Sequence, residues 1–174
     1  ALPLLPGTEL SAGPSVAISP DGTNVAYVAR RSGIAELYLR PMDGLEARVI
    51  RDTRGAAAPF FSPDGQWLGF FADGKLKKAS TTGGVVVTMA DTAANSGDWG
   101  PNDTIVFMTN KGGVATVPAA GGQVRVLLTP EQLASAPIRS VELLPSGETL
   151  LVASRPPGAR RADEGSIEAL TIKT

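Results

Sequence analysis

The chain has 174 residues, 43% of them hydrophobic and 19% charged, with a formal net charge of −1. That length and balance suit one globular domain with a sizeable core and argue against disorder, and the charge lacks the basic footprint of a nucleic-acid binder. There is no cysteine and no histidine, which excludes disulfides, thiol catalysis, cysteine metal sites and a Ser-His-Asp triad, and removes the commonest general base and transition-metal ligand.

The N-terminal Ala1-Leu2-Pro3-Leu4-Leu5-Pro6 has neither the basic start nor the long apolar stretch of a signal peptide. No apolar run reaches the roughly eighteen residues of a membrane span, so no membrane insertion is expected. The first strong signal is the turn Ser19-Pro20-Asp21-Gly22. Proline presets φ, aspartate bonds the backbone ahead, and glycine accepts a positive φ without steric cost. Strand a (16–19) and strand b (24–30) flank this turn, followed by strand c (36–41), the turn Met42-Asp43-Gly44 and strand d (46–50).

The tetrapeptide returns unchanged as Ser62-Pro63-Asp64-Gly65, between strands at 59–62 and 66–72, with further strands at 76–80 and 85–89. Degenerate copies stand at Gly100-Pro101-Asn102-Asp103 and Leu144-Pro145-Ser146-Gly147, and the four prolines are 43, 38 and 44 residues apart. The third unit reads as strands at 98–100, 104–109, 114–118 and 123–128; the fourth stops after strands at 140–144, 148–154 and 166–172. A period of about forty residues with strand-like flanks is the mark of stacked supersecondary units. Strands b are apolar on both faces, as central strands covered on two sides should be. In the first strand c, Leu37 and Leu39 alternate with Glu36, Tyr38 and Arg40, which suits a strand nearer solvent.

The expected fold is therefore all-β: a β-propeller of about four four-stranded blades in a single domain over 1–174, with blades near 15–50, 58–89, 98–128 and 138–174. Aligned on the shared turn, residues 3–7 stand opposite 46–50, which makes them an orphan outer strand by register, against the propensity of Pro3, Pro6 and Gly7. One unpaired strand d at the start and a missing one at the end suggest ring closure, which removes exposed sheet edges.

Ser19-Pro20-Asp21-Gly22, Val25-Ala26-Tyr27, Leu37-Tyr38-Leu39 and Asp43-Gly44 together resemble the TolB-type β-propeller repeat. The stretch from Phe60-Phe61-Ser62-Pro63-Asp64-Gly65 to Asp73-Gly74-Lys75-Leu76 is most similar to propeller regions of bacterial eukaryotic-like serine/threonine kinases. The resemblance implies a periplasmic or extracytoplasmic setting and a non-catalytic binding or scaffolding role toward a protein or small ligand. The alternative it implies is an accessory propeller fragment of a larger enzyme, either a receptor-type kinase or a prolyl oligopeptidase-like hydrolase. Propellers of this type carry six to eight blades in one chain. Four blades thus leave a fragment, a closed four-bladed ring, or a homodimer completing an eight-bladed ring.

Strands alternate in direction, so the d–a and b–c loops share one face of the blades. Varied loops on a rigid scaffold are the usual seat of binding, and the polar and aromatic candidates there are Arg30, Arg54, Asp73, Asn95, Asp98, Trp99 and Arg139. Trp99 opens a strand a, where core packing and a ligand-facing role are equally open. Asp21 and Asp64 are explained by their turns. Asp91, Asn95 and Asp98 do not match the calcium-loop spacing. Lys75, Lys77 and Lys78 read as an exposed strand face or as charge that discourages edge pairing. No catalytic residue, metal ligand or cofactor is assigned.

Overall fold

Each Ser-Pro-Asp-Gly turn is held by atoms within five residues of one another. In the computed structural model, which describes residues 4–13, 15–92, 94, 96–133, 137–155, 158 and 165–172, Ser19 Oγ donates to Asp21 Oδ1 at 2.5 Å and accepts from Asn24 N at 2.9 Å. The Asp21 carboxylate accepts from Thr23 N at 3.0 Å and from Thr23 Oγ1 at 2.8 Å, and Gly22 takes φ of 72° while its N–H donates to Ser19 O. The second turn repeats the scheme, with Ser62 Oγ donating to Asp64 Oδ1 at 2.5 Å and Trp67 N to Ser62 Oγ at 2.9 Å.

These hydrogen bonds, the serine hydroxyl's first, hold both aspartates below the ordinary carboxylate range. A depressed folded pKa contributes stability that is present above the unfolded value and is lost as pH falls through the folded one. Thermal stability is therefore expected to drop as the pH is lowered below about 4. In the Ser19→Ala/Ser62→Ala double variant the drop should be shallower, because the anion-specific donor is gone. Equal slopes in melting curves from pH 6 to 2.5 would remove this role for the serines.

The strands assemble into four antiparallel sheets. The first holds β1 (Thr8–Leu10), β2 (Val16–Ile18), β3 (Asn24–Arg31), β4 (Ile34–Pro41) and β5 (Arg48–Val49). The second runs β6 (Ala57–Phe61), β7 (Trp67–Ala72), β8 (Lys75–Ser80), β9 (Val87–Asp91). The third runs β10 (Gly97–Trp99), β11 (Thr104–Met108), β12 (Val114–Pro118), β13 (Arg125–Leu128). The fourth has three strands among the described residues: β14 (Ile138–Leu143), β15 (Thr149–Ser154) and β16 (Ser166–Thr171).

Two expectations are corrected here. The described part of 3–7 forms no outer strand. Leu4 and Leu5 are irregular, Gly7 turns the chain at φ of 75°, and Thr8 donates from N and Oγ1 to Leu5 O. The strand that follows, β1, pairs with β3 through Thr8↔Arg31 and Leu10↔Ala29. It continues the inner edge on which β2 pairs through Val16↔Tyr27. Pro6, with no N–H to give a ladder, favours the turn over the strand. Secondly, Tyr38 and Arg40 are buried, at 3% and 8% exposure. Tyr38 stacks on Tyr27 with ring centroids 5.5 Å apart, and Leu4 and Leu5 pack over this cluster.

The blades stack through three apolar seams. Ala26, Val28, Leu37 and Leu39 of blade one meet Phe61, Leu68, Phe70 and Ala79 of blade two. Phe60, Phe71 and Leu76 meet Ile105, Phe107 and Val117. Val106 and Val114 meet Val141, Leu143, Leu150 and Val152. Among the described residues, packing links β2 with β6, β6 with β10 and β10 with β14, and none of comparable extent joins β14 back to β2. The four blades thus form an open arc.

The repeated turns also touch across blades. A Cβ on Gly65 would meet Pro20 Cδ at 3.9 Å, and one on Gly147 would meet Pro101 Cγ at 3.0 Å. The turn glycine of one blade thus faces the turn proline of the blade before it. Lys78 is no solvated charge either. Its ammonium donates to Ala119 O at 2.8 Å and lies 4.8 Å from the Trp67 ring centroid, so it clips blade two to blade three. Lys75 and Lys77 pair with Asp91 and Asp73.

Candidate binding site on the loop face

The b–c turn of blade two is a two-residue hairpin. Ala72 faces Lys75 across it, with Asp73 and Gly74 at φ of 54° and 69°. Both central residues are left-handed, the requirement of a type I′ turn, which Asp-Gly meets at low cost. Thr92 N, from the following d–a loop, donates to Gly74 O at 2.8 Å and fixes that loop beside the turn. In blade three the corresponding turn is longer. Thr109 N donates to Gly113 O at 2.8 Å, and Thr109 Oγ1 accepts from Gly113 N at 3.1 Å.

Between these two turns lies a hollow of about 570 Å³. Its floor is apolar, with Phe71, Met108 and Ala57, and its rim carries Asp73, Thr92, Thr109 and Asn110. A second cleft of about 430 Å³ adjoins it through Thr92, Thr109 and Asn110 and runs outward along Val124 and Val126 between Asp91, Lys111 and Glu131. Concave, mainly apolar surface with a few polar groups at the rim is the usual form of a ligand site. Lys77 Nζ bonds Asp73 Oδ2 at 2.8 Å and lowers the Asp73 pKa. A third groove of about 730 Å³ follows the inner strands, past Val16, Ile18, Phe60, Trp99 and Leu143.

The seven sequence candidates separate. Asp73 lines the hollow. Arg54 is exposed on the neighbouring d–a loop, and Arg139 is exposed on β14. Arg30 is exposed near the end of β3, its Nε donating to Ser11 Oγ at 3.5 Å, in a pocket with Thr8 and Glu9. Asn95 lies outside the described residues. Asp98 is engaged by backbone, its carboxylate accepting from Trp99 N at 2.9 Å and Leu143 N at 2.8 Å. Trp99 is 6% exposed in the seam between blades two and three, with Nε1 donating to Asp103 Oδ1 at 3.3 Å.

Sequence reasoning passed over Thr92, Thr109 and Asn110. The available signal was Asn110-Lys111-Gly112 at the b–c position in phase with Asp73-Gly74. Among the described residues no group of three acidic side chains converges to hold a metal ion, and no helix is long and apolar enough to cross a membrane.

No protein-family model matches the chain. It is 32% identical over 96 residues to the uncharacterized protein YidR of Escherichia coli K12, covering 53% of this chain and 22% of that one. It is 30% identical over 101 residues to the uncharacterized protein Atu1656 of Agrobacterium fabrum, covering 52% and 34%. The chain thus spans about a third or less of either relative.

Among solved structures, a putative TolB from Agrobacterium tumefaciens superposes with a TM-score of 0.72 at 18% identity, covering 91% of this chain and 65% of that one. TolB from Acinetobacter baumannii gives 0.69 at 21% identity, covering 92% and 43%. A luciferin-regenerating enzyme gives 0.67 at 10%, covering 96% and 63%. The fold is a TolB-like β-propeller, present here as about four blades.

Proposed function

We propose that the chain is a non-catalytic binding module whose loop face takes a small ligand or a protein loop in the hollow between blades two and three. The observation that carries this reading is the rim itself. Asp73, Thr92, Thr109 and Asn110 come from two blades and converge over an apolar floor, on turns whose backbone is fixed by hydrogen bonds. Rigid turns over a packed seam bind with little rearrangement, which limits the ordering cost of association. The lack of histidine and cysteine removes most catalytic constellations and supports the same reading. The TolB-like fold supports an extracytoplasmic setting, to be checked by fractionation of cells expressing the parent gene.

The test is a ligand screen by amide chemical-shift mapping, with Asp73→Asn and Asn110→Ala as site variants. Hits should shift the amides of 73–74, 92 and 109–113, and each variant should weaken them about tenfold, the loss of one good hydrogen bond in a desolvated site. Ligands that shift only other surfaces, or bind both variants unchanged, would defeat the assignment. The second reading, an accessory propeller of a larger enzyme, is favoured by the small share of each curated relative that the chain covers. A kinase or hydrolase domain encoded in the same open reading frame would establish it.

A further inference from the structure

The seam between blades two and three is closed at its centre and open at its outer end. Phe107, Ala115 and Val117 are buried in it. Val126 stands across from Ala115 in the ladder of β12 and β13 and continues the same face outward, where it is 63% exposed. Val124 is 39% exposed. β13 bulges at this point, with Val114 pairing with Leu128 and Ala115 with Val126, and Leu128 joins the lining. These side chains form the apolar wall of the cleft of about 430 Å³, to which blade two contributes Asp91 and Thr92.

The cleft and the hollow share Thr92, Thr109 and Asn110. Apolar and polar surface therefore alternate along the groove they form: the floor of the hollow, then two hydroxyls and an amide at the waist, then the valines. That order matches an extended polypeptide, in which alternate side chains fall on one face roughly 7 Å apart and backbone amides stand between them. The Asn110 side chain offers both a donor and an acceptor, as a peptide bond requires. At the outer cleft Asp91 is held by Lys75. Lys111 and Glu131 are exposed there, and no ion pair holds either among the described residues. A segment with one basic and one acidic residue beyond its apolar pair complements both charges; an apolar small molecule complements neither.

We propose that the hollow and the cleft are two subsites of one groove, and that its occupant is an extended peptide segment of another protein. The segment carries apolar residues at positions i and i+2, with charged residues of both signs after them. This rests on the reading of the loop face as a binding surface and commits that surface to one occupant. The first apolar side chain enters the hollow, Asn110 and the two threonines bond the backbone between, and the second apolar side chain covers Val124 and Val126. Glu131 selects the basic residue. The turn that carries Lys111 lies tight against β13, since a Cβ on Gly113 would stand 2.5 Å from Leu128 O. The outer subsite is thus built from backbone already fixed in place, which keeps the ordering cost of association low.

Selection from a random-heptapeptide display library on the whole chain tests it, with enriched sequences then measured as free peptides by fluorescence anisotropy. Enriched peptides should carry the apolar pair at i and i+2 and a basic residue beyond it. Val126→Lys should weaken them about tenfold, the loss of one buried valine side chain, with an unchanged urea midpoint. If Val126→Lys fails to fold, Val124→Lys takes its place. Glu131→Lys should weaken them about threefold, and exchanging the peptide's basic residue for glutamate should restore binding to that variant. Peptides that bind Val126→Lys as well as wild type, yet lose affinity in Asn110→Ala, would overturn the two-subsite groove and leave the hollow as a ligand site. A library without binders, beside small-molecule hits that map to the hollow, would do the same. No binder of either kind would overturn both readings.

Discussion

Phe60→Ala should lower the stability of the chain by about 3–5 kcal/mol and its Tm by roughly 10 °C. The phenyl ring occupies a slot between two glycines. A Cβ on Gly69, its partner across β6 and β7, would come within 2.2 Å of Phe60 Cε2. One on Gly97, at the start of blade three, would stand 3.3 Å from Phe60 Cε1. The ring also lies 6.1 Å from that of Phe71, tilted at 46°. One side chain thus fills the space that both blades leave for it, and its removal opens a cavity that two backbones cannot close.

The converse substitution is informative. Gly69→Ala should cost about 2–3 kcal/mol by overpacking, because a ring wedged between two strands has no free end to move. Combined with Phe60→Leu, part of that cost should be recovered, giving a measurable coupling between the pair. Urea unfolding followed by the fluorescence of Trp67 and Trp99 measures all three. A loss below 1 kcal/mol for Phe60→Ala would mean that the slot collapses readily and that the seam between blades two and three rests on other contacts.

Asp98→Ala should destabilise the chain by about 2 kcal/mol, the range for a hydrogen bond to a charged group, and the effect should be local. Asp98 Oδ2 receives the Leu143 N–H at 2.8 Å, and Ser96 Oγ receives the Val141 N–H at 3.2 Å. These two side chains stitch the entry of β10 to the inner edge of β14. Blade four has only three described strands, and β16 is exposed along most of its length, so it is the blade with least cover. Hydrogen exchange should therefore accelerate across β14, β15 and β16 and stay unchanged in β6 to β9. Asp98→Asn keeps an acceptor and should retain much of the protection. Acceleration spread evenly over all four blades would instead mark Asp98 as a determinant of global stability.

Asp98 and Trp99 show where sequence reasoning about the site stopped. Both fall in a varied d–a region, and a tryptophan beside an aspartate on such a loop has the composition of a ligand contact. Two of their partners, Leu143 for Asp98 and Lys78 for Trp99, lie in other blades, and no local rule gives either. Asp73 was legible because an Asp-Gly pair between two strands specifies its own turn, and the turn specifies the face. Thr92, Thr109 and Asn110 join it only because blades two and three pack side by side.

The sequence by itself determined the period, the turns and the alternation of strands within each blade. Those depend on hydrogen bonds such as Ser19 to Asp21 and Asn24 to Ser19, made within five residues. Only the tertiary structure decided that β1 extends the inner edge of blade one, that Tyr38 and Arg40 are covered, that Lys78 is a clip and that the arc stays open. Each of those outcomes turns on which faces meet between units about forty residues apart. The repeat encodes blades that stack; the side chains on their facing surfaces decide how neighbouring blades are joined.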